Sequence, residues 1–356
     1  MKISPKLMSF FILAAAVSFG VGILAAEVRL RGISSAEGVV IYDIKDEPVK
    51  MLEGPVPETN LEKAEEKQIP PEPSQVGSET EIKPEINGES FTFAVLGDTQ
   101  GFAEGSSNGA FQQAAKNITK NNPDLVLSTG DLISGCDKKD LCEAKYNAWK
   151  AVMGPLMNKT YMVQGNHDRT GGEDSELVWQ KVFTLPANGP EKYIELVYSI
   201  DFKNSHFVFL DSAKPKEHVI NQVQRDWLEK DLSANKKENT FVVFHEIAYP
   251  VSSKIGEGLD AKPDERNALW DMLARHKVTA VFSGHEHIAS RKNIAGVYQF
   301  GIGNTDAFNH EAPKSGMAEY SYVGKHFAMV EVDGKKITVK THSVSGNLLD
   351  SFSFSK

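Results

Sequence analysis

The chain has 356 residues, 40% hydrophobic and 24% charged, ordinary globular values that exclude a wholly disordered, collagenous or multi-pass membrane protein. Its 39 Lys and Arg stand against 48 Asp and Glu, a net charge of −9, and most of the excess lies in residues 27–90, where 15 acids face 7 bases. From residue 91 onward the chain is nearly balanced, long enough for one large core, and without the basic surplus that a nucleic acid duplex would require of a partner.

Residues 1–26 carry Lys2 and Lys6 and then an uncharged run from Leu7 to Ala26, the pattern of a targeting segment. It reads either as a cleaved signal peptide or as an uncleaved membrane anchor, since a 20-residue helix of about 30 Å just crosses a bilayer core. Cleavage after Ala26 would place Leu24 where a small residue is usual. Both readings put the rest of the chain outside the cytoplasm, secreted, periplasmic or tethered to a membrane. Residues 27–52 hold one strand-like run, Val39 to Tyr42, too short for a core of its own and with no legible role. Residues 53–90 are an acidic Pro/Glu-rich linker in which Pro55, Pro57, Pro70, Pro71, Pro73 and Pro84 alternate with Glu and Lys.

From Phe91 to Lys356 strand-length apolar runs alternate with amphipathic stretches, the order of an α/β domain. The expected strands are FTFAVLGD, DLVLSTGD, TYMVQGNHD, HFVFLDS, TFVVFHE and TAVFSGHEH, with helices over Gly109 to Lys120, Leu141 to Leu156, Val219 to Leu232 and Asp264 to His276. FAMVEV and KITVKTHSV, joined at Asp333-Gly334, read as a β-hairpin.

Ligands of α/β sheets collect beyond the carboxyl ends of strands, and five of these ends carry metal-binding side chains. They are Asp98, Asp131, Asn166 with His167, His245, and His285 with His287. A Gly-Asp pair alone means little, but Gly-Asn-His-Asp and Gly-His-any-His are rare by chance. Taken singly, each Asp would be a turn or helix cap and His245 a satisfied core histidine; their succession in one order speaks for a shared centre.

GDTQ (97–100), GD (130–131), GNHD (165–168), His245 and GHEH (284–287) resemble the five blocks of the calcineurin-like metallophosphoesterases, and the stretch 185–212 is similar to the purple acid phosphatase-like branch. The resemblance covers about Phe91 to Lys356. It implies a four-layer αββα sandwich with a dinuclear metal centre, two divalent cations drawn from Mn, Zn or Fe, holding a shared hydroxide as nucleophile toward phosphate esters. Carried over by position, Asp131 bridges, Asp98 and His287 bind one metal, and Asn166, His245 and His285 bind the other. His167 resembles the family's non-ligand histidine, which stabilises the transition state or protonates the leaving oxygen, with Asp168 orienting it.

The chain departs from the pattern at three places. Gln100 stands where the wider superfamily has histidine, so it is a weak metal ligand or a substrate contact, and one metal site is expected to be weak. Ser134 replaces the tyrosine of purple enzymes, so an iron phenolate is not expected, and HEIAYP replaces a run of His and Pro. His310 and Arg291 are read as solvated, and His206, His218, His276, His326 and His342 as structural or surface residues. Cys136 and Cys142 are the two cysteines of the chain; in an exported protein they favour a short-loop disulfide over a reactive dithiol. The expected function is exported, metal-dependent hydrolysis of phosphomonoesters, phosphodiesters or pyrophosphates, the alternative being a membrane-tethered binding or scaffold protein with a degraded centre.

Overall fold

The computed structural model describes residues 90–101, 109–312 and 316–356, together with the backbone of two short antiparallel strands, β1 (Ile33–Ser34) and β2 (Val40–Ile41). The targeting segment 1–26 and the linker up to residue 89 lie outside the described residues, as does all of 27–52 apart from β1 and β2. The chain divides into two compact units, residues 1–79 and 80–356; the second carries every candidate site residue.

Its elements begin with β3 (Phe91–Leu96), α1 (Ala110–Asn121), β4 (Leu125–Ser128), α2 (Lys139–Met153), β5 (Thr160–Met162) and α3 (Glu173–Val182). There follow the hairpin β6 (Tyr198–Phe202) and β7 (Ser205–Phe209), then α4 (Gln222–Ala234), β8 (Asn239–Val243), α5 (Pro263–Arg275) and β9 (Ala280–Ser283). The chain continues antiparallel through β10 (Ala289–Ile294), β11 (Val297–Ile302), β12 (Tyr320–Tyr322), β13 (His326–Asp333), β14 (Lys336–Ser343) and β15 (Leu348–Ser355). One sheet has six strands in the order β15-β14-β13-β3-β4-β5, the other seven in the order β12-β10-β11-β9-β8-β7-β6.

Each sheet has a parallel part, β3-β4-β5 along one side of the first and β7-β8-β9-β11 in the middle of the second. Strands β4, β7, β8 and β9 are buried at every residue, which is why their sequences are continuous apolar runs rather than alternating ones. The two sheets meet face to face across a phenylalanine cluster: Phe93 of β3 sets its ring edgewise to Phe207, Phe241 and Phe282 at 5.4, 5.2 and 5.7 Å. With the inner faces spent on each other, the crossover helices cover the outer faces, giving the four-layer αββα sandwich. Phe111 of α1 stacks on Trp149 of α2, and Tyr146 of α2 meets Trp179 of α3, on one side; Arg225 of α4 pairs with Glu265 of α5 on the other.

The ends of the expected helices lie within two residues of the sequence reading except at two places. The second helix stops at Met153 rather than Leu156 because Gly154 takes φ 50° and Pro155 has no N–H, so the chain tightens into a 3₁₀ turn. The helix expected from Val219 starts at Gln222, where Asn221 caps it by accepting from the Gln224 amide at 3.2 Å. The hairpin β13–β14 forms, and it enters the core sheet by pairing β13 with β3.

Candidate metal centre

Both parallel cores run their carboxyl ends toward one place. From the six-stranded sheet come Asp98 two residues after β3, Asp131 three after β4 and Asn166 four after β5; from the seven-stranded sheet come His245 two after β8, and His285 and His287 after β9. Asp98, Asp131 and His245, all buried, bring ligand atoms within 4.8 Å of one another. Close approach depends on glycine: a Cβ on Gly165 would stand 2.1 Å from Asp131 Oδ1, and one on Gly284 2.4 Å from Asp98 Oδ2. Asp98, Asp131, His285 and His287 themselves take φ of 52, 51, 69 and 51°, a backbone region few side chains adopt and one typical of functional sites.

Each of the three histidines turns one nitrogen outward to a backbone carbonyl and the other inward. His245 Nδ1 donates to Thr129 O at 2.9 Å, leaving Nε2 at 3.0 Å from Asn166 Oδ1 and 3.3 Å from Asp131 Oδ2. His285 Nε2 donates to Glu257 O at 2.8 Å, and its Nδ1 lies 3.2 Å from the same Asn166 oxygen. His287 Nδ1 donates to Phe308 O at 2.9 Å, and its Nε2 lies 3.2 Å from Asp98 Oδ1. Inward nitrogens and oxygens therefore face each other as lone-pair donors, and carbonyls fix the tautomers from behind, as around bound metals. Imidazole, carboxylate and amide oxygen are a fitting donor set for Zn, Mn or Fe.

Charge in the cluster runs the same way. Burial pushes His245 down, but the Asp131 and Asp98 carboxylates outweigh it and raise it to about 10. Burial would raise Asp131, yet His245 holds it well below the usual carboxylate range, while burial keeps Asp98 raised. His285, buried beside His245, is pushed well below its ordinary value. The carboxylates thus draw positive charge to His245, while His285 beside it resists a second proton.

Gln100 reaches the Asp98 side of the cluster, its Nε2 3.2 Å from His287 Nε2 and 3.4 Å from Asp131 Oδ2. Its Oε1 is buried with no hydrogen-bond partner among the described residues. His167 is half-buried; its backbone amide donates to Asp131 Oδ1 at 2.9 Å. Its side chain lines a cleft of about 470 Å³ with Gln100, Asp306, Phe308, Asn309 and Lys325.

Asp168 departs from the expectation that it orients His167. Its carboxylate accepts from the Gly165 amide at 2.9 Å, from the Leu132 amide at 3.1 Å and from the Tyr146 hydroxyl at 3.2 Å. It therefore clamps the loop after Asp131 to the loop before Asn166, and burial beside Asp131 raises it to about 7. His310 is not simply solvated either: it is half-buried, stacks on the His287 ring at 4.2 Å and donates from Nδ1 to Glu286 O at 2.7 Å. Arg291 of β10 reaches across to β15 of the other sheet, paired with Asp350 at 2.6 Å. The five other histidines lie outside the cluster; His206, for one, bridges Asp201 and Asp231 at 2.7 Å each. Cys136 and Cys142 are joined in a disulfide in the loop beyond Asp131, and the Cys136 amide donates to Thr170 Oγ1 at 2.6 Å.

The carbonyls of Thr129, Glu257 and Phe308 carry no sequence signal, because any residue supplies one. Glu286 could have been found, as the acid inside GHEH; it accepts from the Val251 and Ser252 amides and ties that loop to the histidines.

Human tartrate-resistant acid phosphatase type 5 is 24% identical over 294 residues, covering 72% of this chain and 88% of its own length. Purple acid phosphatase 23 of Arabidopsis thaliana is 25% identical over 201 residues, 49% of this chain and 43% of its own. Among solved structures, a purple acid phosphatase from yellow lupin (Lupinus luteus) seeds superposes with a TM-score of 0.64 at 18% identity, over 75% of this chain and 54% of that one. The family model for calcineurin-like phosphoesterases matches residues 91–289, from the first residue of β3 to just past His287, so the strand-end centre lies on the part that defines the family: the chain belongs to the calcineurin-like phosphoesterases, hydrolases of phosphate esters.

Proposed function

We propose that the chain hydrolyses phosphate monoesters outside the cytoplasm, using a dinuclear centre in which Asp131 is shared, Asp98 and His287 hold one cation, and Asn166, His245 and His285 hold the other. The observation that carries this reading is the set of inward histidine nitrogens, each facing an oxygen and each locked from behind by a carbonyl. A scaffold would have no use for that arrangement. When bound, divalent cations supply an activated water and neutralise the phosphate oxygens of an in-line displacement.

The protein's own residues do the rest. Asp131, depressed by His245, stays ionised throughout the working pH range. The Asp168 clamp fixes the two loops that carry Asp131 and Asn166. His167 lines the cleft, where its imidazole would serve as proton donor to the departing ester oxygen. Gln100 contributes a neutral amide where an imidazole would bind more tightly, so the Asp98 site is the weaker one.

The Cys136–Cys142 disulfide supports an oxidising compartment. No helix among the described residues is long and apolar enough to cross a membrane, so a membrane tether rests on the segment 1–26 alone. Metal analysis combined with turnover of p-nitrophenyl phosphate and of its diester tests the reading. Full turnover after complete demetallation overturns it, and a faster diester than monoester overturns the substrate class.

A further inference from the structure

Phe308 is the most exposed of the large hydrophobic side chains among the described residues, at 68%. A lone exposed apolar residue is ordinary, but this one is fixed in relation to the centre. Its carbonyl accepts from His287 Nδ1, its ring stands 4.9 Å from the His287 ring and 5.1 Å from that of His310, and both contacts are near perpendicular. Most of the ring is thus open to solvent at the cleft that His167 and Gln100 also line. The charged pair of that wall cancels, since Lys325 is paired with Asp306; among the described residues that line it, the cleft offers an aromatic platform and no further lysine or arginine for a second anionic group.

We propose that Phe308 determines specificity by stacking on the leaving group, and that the preferred substrates are monoesters of planar aromatic alcohols. The proposal rests on the phosphomonoesterase reading above. Length decides between aromatic classes. The Phe308 ring is in direct edge contact with His287, 4.9 Å between centroids, so an aryl group bonded directly to the ester oxygen reaches it, whereas a nucleoside would place its ribose there. In the reaction the bond between phosphorus and the aryl oxygen breaks and a bond from water oxygen to phosphorus forms. Water gives up one proton and the aryl oxide takes one, His167 being placed to deliver it, so that ester and water yield the phenol and inorganic phosphate. Aromatic contacts of this kind prefer offset or edge geometries and add to simple burial.

The test compares kcat/KM of the metal-loaded protein and its Phe308→Ala, Phe308→Leu and Phe308→Trp variants on 2-naphthyl phosphate, glycerol 2-phosphate and adenosine 5′-monophosphate. The ratio of naphthyl to glycerol ester should fall about tenfold in Phe308→Ala, fall less in Phe308→Leu, and be kept by Phe308→Trp. Parallel loss on all three esters would show that the ring serves only to hold His287, and a fall confined to the nucleotide would show a nucleoside platform; both overturn the proposal. Calorimetry of naphthylphosphonate against methylphosphonate, on the natural protein and Phe308→Ala, keeps the question separate from turnover. If the natural protein hydrolyses no ester, the enzymatic reading fails, while selective loss of naphthylphosphonate binding still supports the platform and equal binding of both phosphonates removes it.

Discussion

The backbone amide of His167 donates to Asp131 Oδ1 at 2.9 Å, so the residue proposed as acid holds the carboxylate proposed as the bridge through its main chain and leaves its ring to the cleft. The two duties are separable by mutation. His167→Ala keeps the amide and is expected to lower kcat by about 10²-fold or more with metal content unchanged. Asn166→Ala, which removes the oxygen facing both His245 and His285, should instead lose metal. Metal analysis beside steady-state kinetics checks the pair; metal loss in His167→Ala with none in Asn166→Ala would reverse the assignment.

Asp168→Ala should be among the costlier substitutions in the chain. It leaves the buried amides of Leu132 and Gly165 without their acceptor, each unmade bond costing roughly 1–3 kcal/mol. Thermal melts in chelator should show the loss before metal enters the comparison. A melting temperature equal to that of the natural protein would mean the clamp is not what orders these loops.

At Gln100, substitution by histidine should tighten the site formed by Asp98, Asp131 and His287, because imidazole is a stronger donor than a neutral amide. Titration calorimetry should show one affinity rising and the other unchanged. Identical isotherms with an altered KM would assign Gln100 to substrate.

His206 gives the fold a pH dependence distant from the centre. Asp231 of α4 and Asp201 of β6 flank its two nitrogens, with Ser199 and Lys237 bonded to those acids. Burial opposes the charge, but the two acids raise His206 above its ordinary 6.5. A folded value above the unfolded one means this contribution to stability is complete below about pH 6.5 and is lost as pH rises through the folded value. Urea denaturation of His206→Gln should be flatter across that window than that of the natural protein; parallel curves would remove His206 as the source.

The parallel strands β3, β4, β5, β7, β8 and β9 are legible because they are apolar runs that end on chemistry, and the candidate ligands because GNHD and GHEH are rare; β11, also parallel, ends on no such motif. The rest of the sheet was harder to see. β10, with the sequence ASRKNI, has a charged middle and owes its place to β11 and β12 on either side. Sequence adjacency does not reveal the role of Asp168, because its neighbour His167 is not its partner in bonding: besides Gly165, its partners are Leu132 and Tyr146, 36 and 22 positions away. Phe308 carries no sequence signal, because exposure is a property of the folded chain.

The centre draws three candidate ligands from each sheet, and elsewhere the sheets meet through apolar packing such as that around Phe93 and through a few polar links, among them Arg291–Asp350 and Tyr198–Met162. A cation bound by both sets is therefore a rivet through two plates. Its binding energy adds to the free energy of keeping the plates together, so saturating metal should raise the unfolding temperature in step with affinity. Asn166→Ala should lose most of that increment without touching the seam of rings beneath it.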